Sequence, residues 1–423
     1  MNRKFELDIP AVLLYFALAI FGWLTIYAVS SNGGEIGLFE MGTNHGKQFI
    51  WLGISTVVGI VILSLDNRFL ESLVSYVAYI LALLLLVLVL FIGKEVNGAK
   101  SWLIIAGIQI QPAEFAKVAT AMALARYMSQ LNFSLKNQGN ALTAFAIVAI
   151  PGVIVLLQND TGSALVFASF LIVFFREGLN PVIPVLLLAI GAVGIATLWV
   201  GNPWYVSIAI LSLGVLSFIL TYNKRSVFGS AILHVLIIAF FIGLSFSTDT
   251  IVKKLPQHQQ NRIMVLFNPD IDKQGAGYNV RQSKIAIGSG GMWGKGYLQG
   301  NYTKGDFVPK QVTDFIFCTI GEERGWVGST FLLGFFFLFL WRIRFLAENS
   351  KTRYARIYGY SVLSILFFHI LVNIGMTIGL IPVIGIPLPF FSYGGSSLLA
   401  FTILIAVLLN LHAYRSNVLG KKY

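Results

Sequence analysis

Twelve mostly apolar runs, most of them close to 20 residues long, constrain this chain of 423 residues more than any other feature. A helix needs about 20 such residues to cross a bilayer. The runs fall at roughly 11–30, 48–66, 72–93, 112–129, 140–158, 162–176, 180–200, 203–221, 230–247, 313–341, 357–380 and 397–414. The sixth is short. The tenth opens at Thr313 and carries Glu322, Glu323 and Arg324 near its start, so that stretch is expected to face protein rather than lipid. The chain is 57% hydrophobic and 11% charged, against about 25% charged in an ordinary soluble protein. A soluble monomer of this size has no way to hide so much apolar surface. A soluble enzyme, a nucleic-acid module and a disordered scaffold are thereby excluded. The fold expected is an all-α polytopic membrane protein. The first run is longer than a signal-peptide core of about 7–15 residues, so it reads as a first transmembrane helix. The single cysteine, Cys318, excludes an internal disulfide, and the five histidines show no metal-ligand spacing.

Basic loop residues set the sides. With the N-terminus in the cytoplasm, the inner segments hold sixteen: Arg3, Lys4, Arg68, Arg126, Lys136, Arg176, Lys224, Arg225, Arg342, Arg344, Lys351, Arg353, Arg356, Arg415, Lys421 and Lys422. The short outer loops hold only Lys47, Lys94 and Lys100. Twelve crossings return the C-terminus to the cytoplasm. The net charge of +12 then reflects basic cytoplasmic loops. Residues 248–312 form a long outer loop with nine basic and four acidic residues. Long loops escape the charge rule, so this basic character points to an anion.

Charges inside a membrane are costly, and each is a candidate for function. Glu114 and Lys117, in QPAEFAK, lie three apart and share a helix face. They are either a neutralised structural pair or the lining of a polar cavity. Pro112 suits the first turn of that helix. Asp160, in LLQNDTG, sits where a turn residue caps the next helix. Trp102 opens the amphipathic stretch NGAKSWLIIAGIQIQ, which is expected to lie in the interface or re-enter the membrane rather than cross it. In GYNVRQSKIAIGSGGMWGKG, glycines 288, 290, 291, 294 and 296 permit close backbone approach to a ligand. Arg281 and Lys284 stand just before them, a pattern that suits phosphate. Asp314, in VTDFIFCTIGEERGWVG, is a carboxylate at a membrane boundary among apolar residues. That setting is expected to raise its pKa toward the range of a general base. Thr313 or Asp314 would equally serve as a helix cap. NIGMTIGLIPVIGIPLPFFSYGGSS, with Pro382, Pro387 and Pro389, cannot be a regular helix and is expected to form a rigid re-entrant wall.

These segments, in this order, resemble the SEDS family (shape, elongation, division and sporulation). The motifs NGAKSW, QPAEFAK, LLQNDTGSALVF, NRIMVLFNPDIDKQGAGYNVRQSKIAIGSGGMWGKG, TDFIFCTIGEERGWVG and GLIPVIGIPLPFFSYGGSS carry the resemblance. They cover most of the chain outside 200–247, and QSKIAIGSGG is nearest the elongation branch, RodA. The resemblance implies a family core of ten spans plus an extra pair within 180–247. It implies a peptidoglycan glycosyltransferase of the bacterial cytoplasmic membrane that polymerises lipid II on the outer face. The implied partners are a class B penicillin-binding protein and other membrane proteins of the elongation machinery, with no nucleic acid. The family's essential aspartate falls on Asp314, its functional tryptophan on Trp102, and its acidic and basic pair on Glu114 and Lys117. Two departures stand out. Lys310, Gln311 and Val312 follow Pro309 where the family often has Glu-x-His, and QNDTGS replaces QPDLGT while keeping Asp160.

The mechanism expected has Asp314 as general base, with Arg281, Lys284 and Lys117 or a divalent cation (Mg or Mn) offsetting pyrophosphate charge. No other cofactor is implied. The rival readings are a lipid II flippase and a non-catalytic scaffold for the penicillin-binding protein.

Overall fold

The computed structural model describes residues 6–31, 35–96, 98–105, 107–221, 227–272, 275–305 and 307–413. Of the residues in the charge argument, Arg3, Lys4, Lys224, Arg225, Arg415, Lys421 and Lys422 lie outside these.

The helices are α1 (Ile9–Ser30), α2 (Asn44–Ser64), α3 (Asn67–Leu70), α4 (Val74–Ile92), α5 (Pro112–Met128), α6 (Gln138–Leu157), α7 (Thr161–Ala168) and α8 (Leu171–Arg176). They continue as α9 (Val182–Val200), α10 (Pro203–Leu220), α11 (Val227–Lys253), α12 (Gln257–Met264), α13 (Ala276–Ser289), α14 (Asn301–Lys304), α15 (Phe317–Glu348), α16 (Arg353–Thr377) and α17 (Gly395–Ala413). Polar side chains start many of them. Asp8, Thr43, Asn137, Asp160 and Thr352 each accept a hydrogen bond from a first-turn N–H.

Among the described residues ten helices are long and apolar enough to cross a membrane. All twelve expected runs are helical, but two fall short. The run at 162–176 divides into α7 and α8, and even end to end its roughly 15 residues reach only ~22 Å. α5 has 17 residues, of which 14 are buried. Its surroundings are protein, so its length need not match the lipid. Its alanines at 113, 116, 119, 121, 123 and 125 let neighbouring backbones come close.

The chain forms two compact units. One is Met1–Gly178 with Asn279–Tyr423, and the other is Leu179–Tyr278. In the second, only 6%, 11% and 17% of the apolar stretches of α9, α10 and α11 are buried, so these helices present themselves to lipid. Thr197 Oγ1 and Ser245 Oγ pair with each other at 3.1 Å. In the first unit, α16 and α17 are 78% and 83% buried over the same measure and make the core.

The stretch around Trp102 is a three-stranded antiparallel sheet, where an all-α chain was expected; among the described residues it is the only sheet. β1 (Lys94–Val96) pairs with β2 (Ala99–Ile105), which pairs with β3 (Ile108–Ile110). Gly98 and Gly107, both at positive φ, lie at its two turns.

Two irregular segments shape one end of the first unit. Residues 378–394 between α16 and α17 contain no helix and bury Val383, Ile386, Leu388, Phe390 and Phe391, so the wall is covered by protein. The second is a break in α15 at Gly325 (φ 65, ψ −161). The glycine-rich loop fills this break. Trp326 and Val327 donate their N–H groups to the carbonyls of Gly291 and Met292, at 2.9 and 3.1 Å. Lys295 and Gly296 donate to the carbonyls of Glu322 and Glu323, both at 3.0 Å. A broken helix thus keeps its backbone paired. The close approach that glycine permits at 290 and 294 is therefore to α15 itself, not to a ligand. A Cβ on Gly290 would stand 2.0 Å from the Gly321 carbonyl oxygen, and one on Gly294 would stand 2.2 Å from that of Glu323.

Candidate active site

Asp314 does not cap α15. That helix begins at Phe317 after Ile316, with no side-chain cap. Asp314 lies instead in the preceding turn, half-buried, and its N–H donates to the Lys310 carbonyl at 2.9 Å. Lys310 adopts φ 57, which lets its carbonyl also receive the Thr313 N–H. The turn is fastened to the wall by the Tyr393 N–H, 2.9 Å from the Val312 carbonyl. The carboxylate faces the wall at Gly385, where a Cβ would stand 3.4 Å from Oδ2. Gly385 has φ 80, so the wall offers bare backbone at that point.

Glu114 and Lys117 are a buried ion pair, 2% and 1% exposed, with Nζ 2.8 Å from Oε1. Lys117 also lies 2.9 Å from His369 Nε2 on α16. His369 Nδ1 is 3.0 Å from the Pro387 carbonyl, which only accepts. Nδ1 therefore carries the proton, and Nε2 accepts from the lysine. One chain of bonds thus joins α5, α16 and the wall.

One turn further along α16, the Asn373 amide donates to the carbonyls of Asp314 and Ile386, both at 2.8 Å. A turn beyond that, the Thr377 carbonyl accepts from Ser283 Oγ of α13 at 2.8 Å. Ser283 lies between Arg281 and Lys284, which are exposed on α13. A Cβ on Gly379, at the start of the wall, would meet Lys284 Cδ at 3.3 Å. Asp314, the Glu114–Lys117 pair, the wall and the basic helix are therefore organised around one face of α16.

Asp160 and Trp102 stand elsewhere. Asp160 caps α7 through the Ser163 N–H at 3.0 Å and receives Gln111 Nε2 at 2.7 Å, tying α7 to the start of α5. Trp102 is half-buried on β2, in register with Lys94. The sheet joins the start of α17, where Ser396 Oγ donates to the Gln109 carbonyl.

His369, Asn373 and Thr377 escaped the motif reading. Their signal was present: three polar residues four apart in an apolar run, which is one helix face. Among the described residues no group of three or more His, Cys, Asp and Glu side chains suits a metal ion.

The cell cycle protein family model FtsW/RodA/SpoVE matches residues 10–214 and 207–417. The chain belongs to the FtsW/RodA/SpoVE family. A relative, the peptidoglycan glycosyltransferase MrdB of Escherichia coli K12, is 31% identical over 415 residues, covering 97% of this chain and 95% of its own. Peptidoglycan glycosyltransferase RodA of Treponema pallidum is 32% identical over 435 residues, covering 96% and 98%. A chain from a peptidoglycan synthase complex, solved for its coordination of polymerization and crosslinking, superposes with a TM-score of 0.70 at 25% identity. That match covers 97% of this chain and 98% of the other. Within the family this chain is RodA-like, as QSKIAIGSGG leads one to expect.

Proposed function

We propose that this chain is a peptidoglycan glycosyltransferase that polymerises lipid II, with Asp314 as general base. The observation that carries the reading is the position of Asp314. It lies in the turn before α15 rather than at that helix's cap, with Oδ2 beside Gly385 of the irregular wall at one end of the first unit. The 4-hydroxyl of the acceptor GlcNAc attacks the anomeric carbon of the donor MurNAc. The bond from that carbon to the phosphate oxygen breaks, and undecaprenyl pyrophosphate leaves with the electron pair, inverting the centre. Asp314 takes the hydroxyl proton. Arg281 and Lys284, exposed one turn apart on α13, offset the charge on the departing pyrophosphate. Trp102 and the Glu114–Lys117 pair belong to the substrate-binding end, and Asp160 supports it through Gln111. Lipid-facing helices suit the family's chemistry because both substrates keep polyprenyl tails in the bilayer.

The orientation that goes with this reading has both termini in the cytoplasm and Asp314 outside. Counting α5 and α7–α8 as crossings, nine precede Asp314. The ion pairs Arg342–Asp8, Arg176–Glu348 and Arg353–Glu177 lie at the ends of α15 and α16 away from Asp314, where a cytoplasmic face belongs. The partner we assign is a class B penicillin-binding protein that crosslinks the strands. Its support is the likeness to a synthase that couples polymerization to crosslinking.

The test is glycan polymerisation from purified lipid II by reconstituted protein, wild type against Asp314→Asn, with a transpeptidase-blocked partner present and absent. Wild type is expected to make polymer and the folded variant none, a loss of roughly 100-fold or more. Equal polymer from both removes Asp314 as the base. No polymer under any condition moves the assignment to lipid II translocation, assayed next in vesicles.

A further inference from the structure

We propose that Asn373 is a positioning residue for the reaction assigned above to Asp314, and the proposal rests on that reading. Asn373 is fully buried on α16. Its single amide donates both N–H bonds to backbone carbonyls of two different segments. One is the carbonyl of Asp314 itself, and the other is that of Ile386, the residue after Gly385, both at 2.8 Å. Gly385 is the point of the wall that Asp314 Oδ2 faces. Neither segment is helix or strand, so no ladder of backbone bonds sets their spacing.

A two-proton donor with planar, fixed geometry is what that junction requires. Serine offers one proton, an ionised aspartate none, and alanine leaves two buried carbonyls unpaired. The neighbours on the same face explain why the clamp is stiff. His369, a turn earlier, holds the Pro387 carbonyl at 3.0 Å. The Thr377 carbonyl, a turn later, holds α13 through Ser283. Asn373 therefore sets how far the Asp314 carboxylate stands from the wall without touching the reacting atoms. A displacement of the base by about 1 Å costs rate far more than it costs binding.

A matched control comes from α17. Asn410 is equally buried and donates to the carbonyls of Ile62 and Leu65, at 2.9 and 2.8 Å, beside the end of α2 and away from Asp314. The experiment compares wild type, Asn373→Ala, Asn373→Ser and Asn410→Ala, each recovered folded in detergent, for kcat and KM with lipid II. Asn373→Ala is expected to lose roughly 10- to 100-fold in kcat with KM within about twofold, Asn373→Ser less, and Asn410→Ala to stay within about twofold. Should Asn373→Ala not be recovered folded, Asn373→Ser carries the comparison. A second readout needs no turnover: the rate at which a hydrophobic carbodiimide modifies Asp314, followed by mass spectrometry. It is expected to change severalfold in Asn373→Ala and not in Asn410→Ala. Wild-type kcat in the Asn373 variants, an equal loss in Asn410→Ala, or an unchanged labelling rate overturns the proposal. If wild type itself makes no polymer, the functional reading has failed, and the labelling comparison alone decides the role of Asn373.

Discussion

Lys117 is 1% exposed and charged, a combination tolerated only with partners close on several sides. Glu114 supplies the counter-charge and His369 a neutral acceptor. Removing one member strands the other. Lys117→Met is expected to destabilise the protein by about 3–5 kcal/mol, and the double variant Lys117→Met, Glu114→Gln to recover much of that loss. Thermal unfolding in detergent checks it: equal melting temperatures for the single and double variants would mean the pair is not energetically coupled. At this scale the sequence was half legible. Glu114 and Lys117 fall within one short motif, and three-residue spacing puts them on one face. His369 lies 252 residues from Lys117, and nothing local marks it as the third member.

Among the elements, α15 is the one whose sequence conflicts with its regularity. Gly325 takes a backbone conformation that other residues reach only under strain, and a Cβ there would stand 2.4 Å from the Gly294 nitrogen. Gly325→Ala is expected to lower stability by roughly 1–3 kcal/mol or more through backbone strain alone. Gly334→Ala, in the same helix with open space around it, is expected to be neutral or to add up to about 1 kcal/mol. Melting temperatures of the two variants decide this, and an equal response would contradict a plugged break at Gly325. The glycines at 288–296 were legible as positions where backbone comes close. What comes close at 290 and 294 was not: there the loop meets α15, which follows it in the chain. The sheet around Trp102 was missed: the stretch was expected as an interfacial or re-entrant amphipathic segment, although Asn97-Gly98 is a hairpin signal.

At the scale of the molecule, the ion pairs Arg342–Asp8, Arg176–Glu348 and Arg353–Glu177 lie at the end away from Asp314. Asp8 caps α1 and reaches Arg342 of α15, whose Nε lies 3.0 Å away. Burial pushes the Asp8 carboxyl up. The Arg342 hydrogen bond, the Ala11 N–H and the Arg342 charge outweigh it and hold the pKa below the ordinary 3.8. A depressed folded-state value stabilises the protein above 3.8, and that contribution is lost as pH falls through the lowered value. The melting temperature is therefore expected to drop on acidification in that range. Asp8→Asn is expected to be less stable than wild type at neutral pH and to show a shallower acid drop. Parallel acid limbs in the two proteins would place the loss elsewhere.

The sequence by itself determined the solvent and the class. Burial in lipid follows from apolar composition and run length, which need no knowledge of neighbours. It also carried the order of motifs that marks the family, and it singled out Asp314. Only the tertiary structure decided what those residues do to one another. Whether Asp314 caps α15 or faces Gly385, whether the glycines serve a ligand or a broken helix, and which side chains complete the Lys117 site depend on contacts between distant segments. Such contacts are set by packing α16 and α17 at the core of the first unit, and periodicity along one helix carries no information about which face of another it will meet.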